Sequence, residues 1–230
     1  MSRNILLIGN SDGIGAAVTK ALLDRGDRVV GVSKSPATPG NRAARHEVHD
    51  VAAPGFTELL ERLWHQEQGF DACVYCAAIG SSLRLPDLSN EARVFDVNLT
   101  AMVRTMEVLV PHWIERRAGH FVGLSSLADS FYNSEAPSYS ASKAGFSHYL
   151  LSMALRLRGS GISVTNIRFG FVDTKLAQAS RKPLMITTEV AAGHVLRCLE
   201  KRPRQLSVPK LAAAFVQGVR WMQTLRVWAA

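Results

Sequence analysis

The 230-residue chain has no uninterrupted apolar run of 18 residues, so no membrane span is expected. Its opening residues, Met1-Ser2-Arg3-Asn4, lead into a strand-like stretch without the apolar region and cleavage site of a signal peptide. A cytoplasmic location is the default expectation. Cysteine is scarce, with residues 73, 76 and 198 only, which excludes a disulfide framework. Cys73 and Cys76 form a C-x-x-C, which admits a redox or zinc reading. Zinc would need a second ligand pair nearby, and a thioredoxin-like pair would sit at a helix N-terminus rather than in an apolar strand-like run. Two ordinary thiols and no metal are therefore expected. Repeats and low-complexity linkers are also missing, so one domain over 1–230 is the reading.

The net charge of +8 raises the question of nucleic acid. Basic residues are scattered, however, and the one dense cluster, Lys201-Arg202-Pro203-Arg204, fits a solvated helix end. No nucleic-acid partner is expected.

What the chain does have is a βαβ rhythm. Strands are expected at Ile5–Gly9, Val29–Ser33, Glu47–Val51, Ala72–Ala77, His120–Ser125, Ile162–Phe169 and Gln205–Val208. Helices are expected at Ile14–Arg25, Phe56–Gln66, Glu91–Arg117, Ser138–Arg158 and Thr188–Lys201. This pattern predicts an α/β fold: a Rossmann-like, doubly wound parallel sheet of about seven strands with helices on both faces. Such sheets bind ligands beyond the carboxyl ends of their strands, where the strand order reverses.

The first strand exits into Gly9-Asn10-Ser11-Asp12-Gly13-Ile14-Gly15. This G-x3-G-x-G opens the first helix, where free backbone N–H groups can take a phosphate. Gly9 suits a tight turn, Gly13 a close approach to a pyrophosphate, and Gly15 close helix–strand packing. A glycine-rich turn without a ligand is the plainer alternative. Its position after the first strand favours nucleotide binding.

Tyr139 and Lys143, four residues apart, share one helix face. Ser126 ends a predicted strand 13 residues before Tyr139, and Asn98 lies in Asp96-Val97-Asn98-Leu99. Together with the glycine loop, these residues resemble the short-chain dehydrogenase/reductase family over roughly residues 4 to 176. The loop lacks only the family's leading Thr, which is Ile8 here.

The resemblance implies an oxidoreductase that interconverts a carbonyl and an alcohol by hydride transfer. Tyr139 would be the general acid or base. Lys143 would lower the Tyr139 pKa from about 10 and bind the nicotinamide ribose. Ser126 would donate to the carbonyl oxygen as charge develops there, and Asn98 would hold a water linking Lys143 to solvent. The alternative is a nucleotide-binding regulatory or scaffold protein of the same fold that has lost turnover.

For the cofactor, Ser33-Lys34 stands where an NAD-preferring member carries an acid. A hydroxyl and a cation suit a 2′-phosphate, so NADP(H) is expected, with NAD(H) as the alternative. The opposing sign is Asp12, where NADP-preferring members often carry a basic residue. Asp50-Val51 resembles the adenine-contacting Asp and its neighbour. Cys76, Ala77 and Ala78 fall in the family's Asn-Asn-Ala-Gly run, here Tyr75-Cys76-Ala77-Ala78, without the Asn side chains that tie strands together. After the sixth strand, Gly170, Val172 and Thr174 match the nicotinamide-side turn, with Phe169 in place of the usual Pro.

Residues 175–187 are expected to cover a small carbonyl or alcohol substrate. Leu83, Leu85, Ser126, Phe131 and Phe171 form its wall or belong to ordinary core. The family's helices carrying Asn98 and Tyr139 usually pair across a two-fold axis, which implies a homodimer at least. An apolar, amphipathic segment at about 210–228, interrupted by Arg220 and Arg226, packs on the body, on a partner, over the substrate site or on a membrane surface.

Overall fold

A computed structural model describes residues 2–37, 45–80, 82–177 and 182–228. Seven strands form one all-parallel sheet: β1 (Asn4–Ile8), β2 (Arg28–Ser33), β3 (Arg45–Val48), β4 (Ala72–Tyr75), β5 (Gly119–Ser126), β6 (Ile162–Phe169) and β7 (Gln205–Val208). Their order is β3-β2-β1-β4-β5-β6-β7. The chain leaves β1 outward to β2 and β3, then returns to place β4 on the other side of β1, which sets the reversal point at the β1 and β4 ends.

The inner strands β1, β2 and β4 are mostly apolar and buried on both sides because both faces are covered. On one face α1 (Gly13–Asp24) packs beside α6 (Thr188–Lys201), over a core that includes Ile5, Leu7, Leu22, Val122 and Val195. On the other lie α2 (Phe56–Gln66), α4 (Ala101–Arg116) and α5 (Pro137–Arg156), over Leu6, Leu60, Met106, Trp113 and Phe146. A last helix, α7 (Lys210–Trp228), follows β7.

Three expected elements differ. The fourth strand stops at Tyr75, because the N–H groups of Cys76 and Ala77 both turn to the Ile8 carbonyl (2.8 and 3.0 Å). The third pairs over 45–48 rather than 47–51. The long helix is not uniform: α3 (Glu91–Phe95) passes through a π turn at Asp96–Thr100 before α4 begins. The wider turn presents the Val97 carbonyl to the Tyr75 hydroxyl at 2.7 Å. Tyr75, wholly buried, thus supplies a cross-tie where the sequence lacks the family's Asn. The Phe169 turn is also held, since β6 stays paired with β7 through Phe169 and the Gly170 N–H donates to the Val208 carbonyl at 2.7 Å.

Candidate active site

Beyond the β1, β2 and β4 ends lies a cavity of about 440 Å³. Gly9, Ser11, Asp12, Gly13, Ile14 and Gly15 line one side of it. Two glycines are required by the packing. Gly9 has φ +87°, and a Cβ there would lie 2.6 Å from the Ala77 nitrogen. A Cβ on Gly15 would lie 1.9 Å from the Gly9 carbonyl oxygen. The loop therefore leaves a shallow cradle of backbone, with the α1 N-terminus opening into it.

Ser33, Lys34, Asp50, Val51, Cys76, Ala77, Ala78 and Thr174 line the same cavity. Asn10 does not. It is fully buried beneath Gly31, where a Cβ would sit 2.1 Å from its amide nitrogen. The Ser33 hydroxyl faces inward, toward Asn10 Oδ1 (3.3 Å) and the Ser35 carbonyl (3.1 Å).

Charge around this cavity is more balanced than the sequence indicates. Asp12 caps α1 by accepting the Gly13 N–H (2.7 Å), and Lys175 Nζ lies 2.7 Å from its carboxylate. Lys175 and then the Gly13 N–H hold the Asp12 carboxyl below its usual range. Asp50 is paired with Arg93, and Lys34 Nζ lies 3.9 Å from it. Lys34 is 80 % exposed, so this long ion pair is screened by water and weak.

A second cavity, of about 630 Å³, adjoins the first and shares Ile14, Cys76, Ala78, Thr174 and Leu176 with it. Ser126, Tyr139 and Lys143 line it, as do Gly170 and Val172. Ser126, at the β5 exit, caps a 3-10 turn (Leu127–Ser130) by accepting the Ala128 N–H at 3.1 Å. Burial raises the Tyr139 pKa above its ordinary value, while a hydrogen bond with Ser126 pulls it down. The phenol is thus protonated at neutral pH.

Lys143 stands differently from expectation. Its ammonium donates to the Leu124 carbonyl at 2.8 Å and lies over the Phe146 ring, 5.9 Å from the Tyr139 ring centre. Burial brings its pKa down to about 8. Asn98, also fully buried, lines neither cavity. From the π turn it clasps Ile79, accepting its N–H at 2.8 Å and donating to its carbonyl at 2.9 Å, and it reaches the Ser142 hydroxyl at 3.1 Å.

Sequence reasoning missed what holds this cluster. Arg168, on β6, makes a forked pair with Asp129 (2.8 and 2.6 Å), and both are nearly buried. The Ser147 hydroxyl bridges Asp129 (2.5 Å) and the Ser125 hydroxyl (2.7 Å), and Ser125 donates to the Lys143 carbonyl at 3.3 Å. Arg168, the one charged residue in β6, was the available signal.

Phe131 and Phe171 line the second cavity. Leu83 and Leu85 do not, and Leu85 is 77 % exposed. Part of the expected cover, residues 178–181, lies outside the described residues. The three cysteines are free, and burial pushes the Cys76 thiol up to about 12, so it stays protonated. No His, Cys, Asp or Glu group suited to a metal occurs among the described residues.

A doubly wound sheet whose reversal point carries a glycine cradle defines a dinucleotide-binding architecture. Comparison with known proteins makes the class specific. The short chain dehydrogenase family model matches residues 3–184. An uncharacterized oxidoreductase of Myxococcus xanthus is 31% identical over 201 residues, covering 81% of this chain and 79% of that protein. The 3-oxoacyl-acyl-carrier-protein reductase FabG of Vibrio cholerae is 26% identical, covering 83% and 82%. A short-chain dehydrogenase structure from Streptomyces avermitilis superposes with a TM-score of 0.83 at 19% identity, covering 99% of this chain and 95% of that one. The chain belongs to the short-chain dehydrogenase family.

Proposed function

We propose that the protein is an NADP(H)-dependent oxidoreductase that interconverts a carbonyl and an alcohol, with Ser126, Tyr139 and Lys143 at the reacting centre. The observation that carries this reading is the shared wall between the two cavities, which sets the Ser–Tyr–Lys cluster beside the glycine cradle. Among solved structures of the same fold, one is ElxO with NADP bound and another is 4-hydroxyisoleucine dehydrogenase complexed with NADH. For this chain, exposed Lys34 and the absence of an acid at Ser33 favour the phosphorylated form. Lys175 offsets the one opposing carboxylate, Asp12.

The nicotinamide supplies the hydride when bound. The chain's own residues do the rest. The cradle and the α1 N-terminus would receive the pyrophosphate. Gly170, Val172 and Thr174 would receive the nicotinamide end, and Lys143 would hold the ribose hydroxyls. Tyr139, protonated at neutral pH, gives its proton to the carbonyl oxygen, and Ser126 donates a hydrogen bond to that oxygen as charge builds. Asn98 acts behind the site by fixing the Ile79 backbone. Phe131, Phe169, Phe171 and Val216 suit a substrate with an apolar body.

The test is NADPH oxidation against a panel of ketones, aldehydes and quinones, with NADPH affinity followed by fluorescence. Tyr139→Phe is expected to bind NADPH like the wild type and to lose nearly all turnover. A variant that keeps more than a tenth of the wild-type rate would refute the proton-transfer role.

A further inference from the structure

The helix α7 has two apolar faces, and only one is covered. On the inner side Ala212 and Val216 wall the second cavity. The helix is fastened there by Gln223, whose amide accepts the Tyr132 N–H (2.9 Å) and donates to the Tyr132 carbonyl (2.8 Å). On the outer side Leu211, Trp221, Met222, Leu225 and Trp228 are each between 57 % and 85 % exposed, and Phe215, 71 % exposed, stands at the edge of this face, where it also borders the second cavity. At a helical step of about 100° they fall within an arc of about 140°. A contiguous patch of this kind, with two tryptophans two turns apart, is not ordinary surface.

Charge says what covers it. The α7 segment holds no Asp or Glu, whereas Lys210, Arg220 and Arg226 all lie in it. The helix thus carries three positive charges and no negative one. A second copy docked through the same face in a two-fold contact would bring this basic segment against itself, with no acid in it to pair. An anionic lipid surface complements both features. Apolar and tryptophan side chains enter the boundary of headgroups and acyl chains, and cations meet lipid phosphates. The helix does not cross, since no helix among the described residues is long and apolar enough.

We propose that α7 is an interfacial docking helix, whose outer face seats on an anionic membrane surface while its inner face walls the cavity beside Tyr139. The inference does not depend on the proposed chemistry, and its test reads no activity.

The full chain would be mixed with vesicles of equal parts phosphatidylglycerol and phosphatidylcholine, or of phosphatidylcholine alone, and sedimented at low and high salt. Co-sedimentation with the anionic vesicles, reduced by salt, is expected. Exposed Trp221 and Trp228 would shift their emission to the blue, while buried Trp64 and Trp113 would not. Trp221→Ser with Trp228→Ser should cut partitioning at least tenfold and leave the melting temperature unchanged. Tyr139→Phe should dock like the wild type. Protein that stays in the supernatant with anionic vesicles overturns the proposal, as does partitioning that ignores the double substitution. A dimer that the double substitution dissolves, without any lipid affinity, would assign the face to a second copy instead.

Discussion

The two adjoining cavities are built by different means. The first cavity takes one side from the backbone of the glycine loop and the rest from residues after β2, β3 and β4, from Arg93 and Val97, and from the turn at Thr174–Leu176. The second cavity is walled by the β5 exit, α5, the β6 exit and α7, together with Ile14 and residues after β4, segments that lie up to about two hundred residues apart. Backbone walls need glycines and close packing. Side-chain walls need a scaffold to hold each group, and the buried Arg168–Asp129 pair with its serines is that scaffold. Substitutions on the first side should therefore alter affinity, and those on the second should alter rate or stability.

The largest effect expected is on stability. Asp129→Ala would leave Arg168 buried without its counter-charge, at a cost of about 3–5 kcal/mol. The urea midpoint should fall accordingly, and Asp129→Ala combined with Arg168→Met should recover most of the loss. If the single change leaves the midpoint where it was, the pair does not brace this side. Ser126→Ala comes next, with turnover down roughly 10²–10³-fold and NADPH affinity nearly unchanged. A matching loss of affinity would erase the division between the cavities.

The pH profile of turnover should follow Lys143. Burial moves its pKa from an ordinary 10.5 to about 8, so the ammonium is lost as pH rises through about 8. Turnover should decline there, well before a free lysine titrates. The sign for stability is opposite. Between about 8 and 10.5 the unfolded chain holds a proton that the folded chain has released, so this group's contribution to stability grows with pH across that window. Turnover flat to pH 10 would show that the charge is not used. The smallest effect expected is at Lys34, where Lys34→Ala should narrow a several-fold preference for NADPH over NADH in a binding titration. An unchanged ratio would move the phosphate contact elsewhere.

Legibility in the sequence followed the same division. Residues 9–15 are local, so their motif and its place at the start of α1 could be read directly. So could α2, β6, α6, β7 and α7, whose periodic patterns end where the structure ends them. The π turn was not legible, since one extra residue within a helix barely disturbs a 3.6-residue period. Tyr75 read as a departure from a motif because its partner, the Val97 carbonyl, lies 22 residues on. Asp129 with Arg168, Lys175 with Asp12 and Arg93 with Asp50 were equally hidden, because no pattern in the chain announces which charge meets which.

By itself, then, the sequence determined the alternation of strands and helices, the glycine loop and the spacing of Tyr139 and Lys143. Each depends on neighbours a few residues away and on backbone geometry that allows few solutions. Only the tertiary structure decided that Lys143 turns to the Leu124 carbonyl, that Asn98 clasps Ile79, and that α7 covers one face while baring the other. Those outcomes depend on burial and on partners far along the chain. Desolvation and packing act on the surroundings a residue finally occupies, which its position in the sequence does not contain.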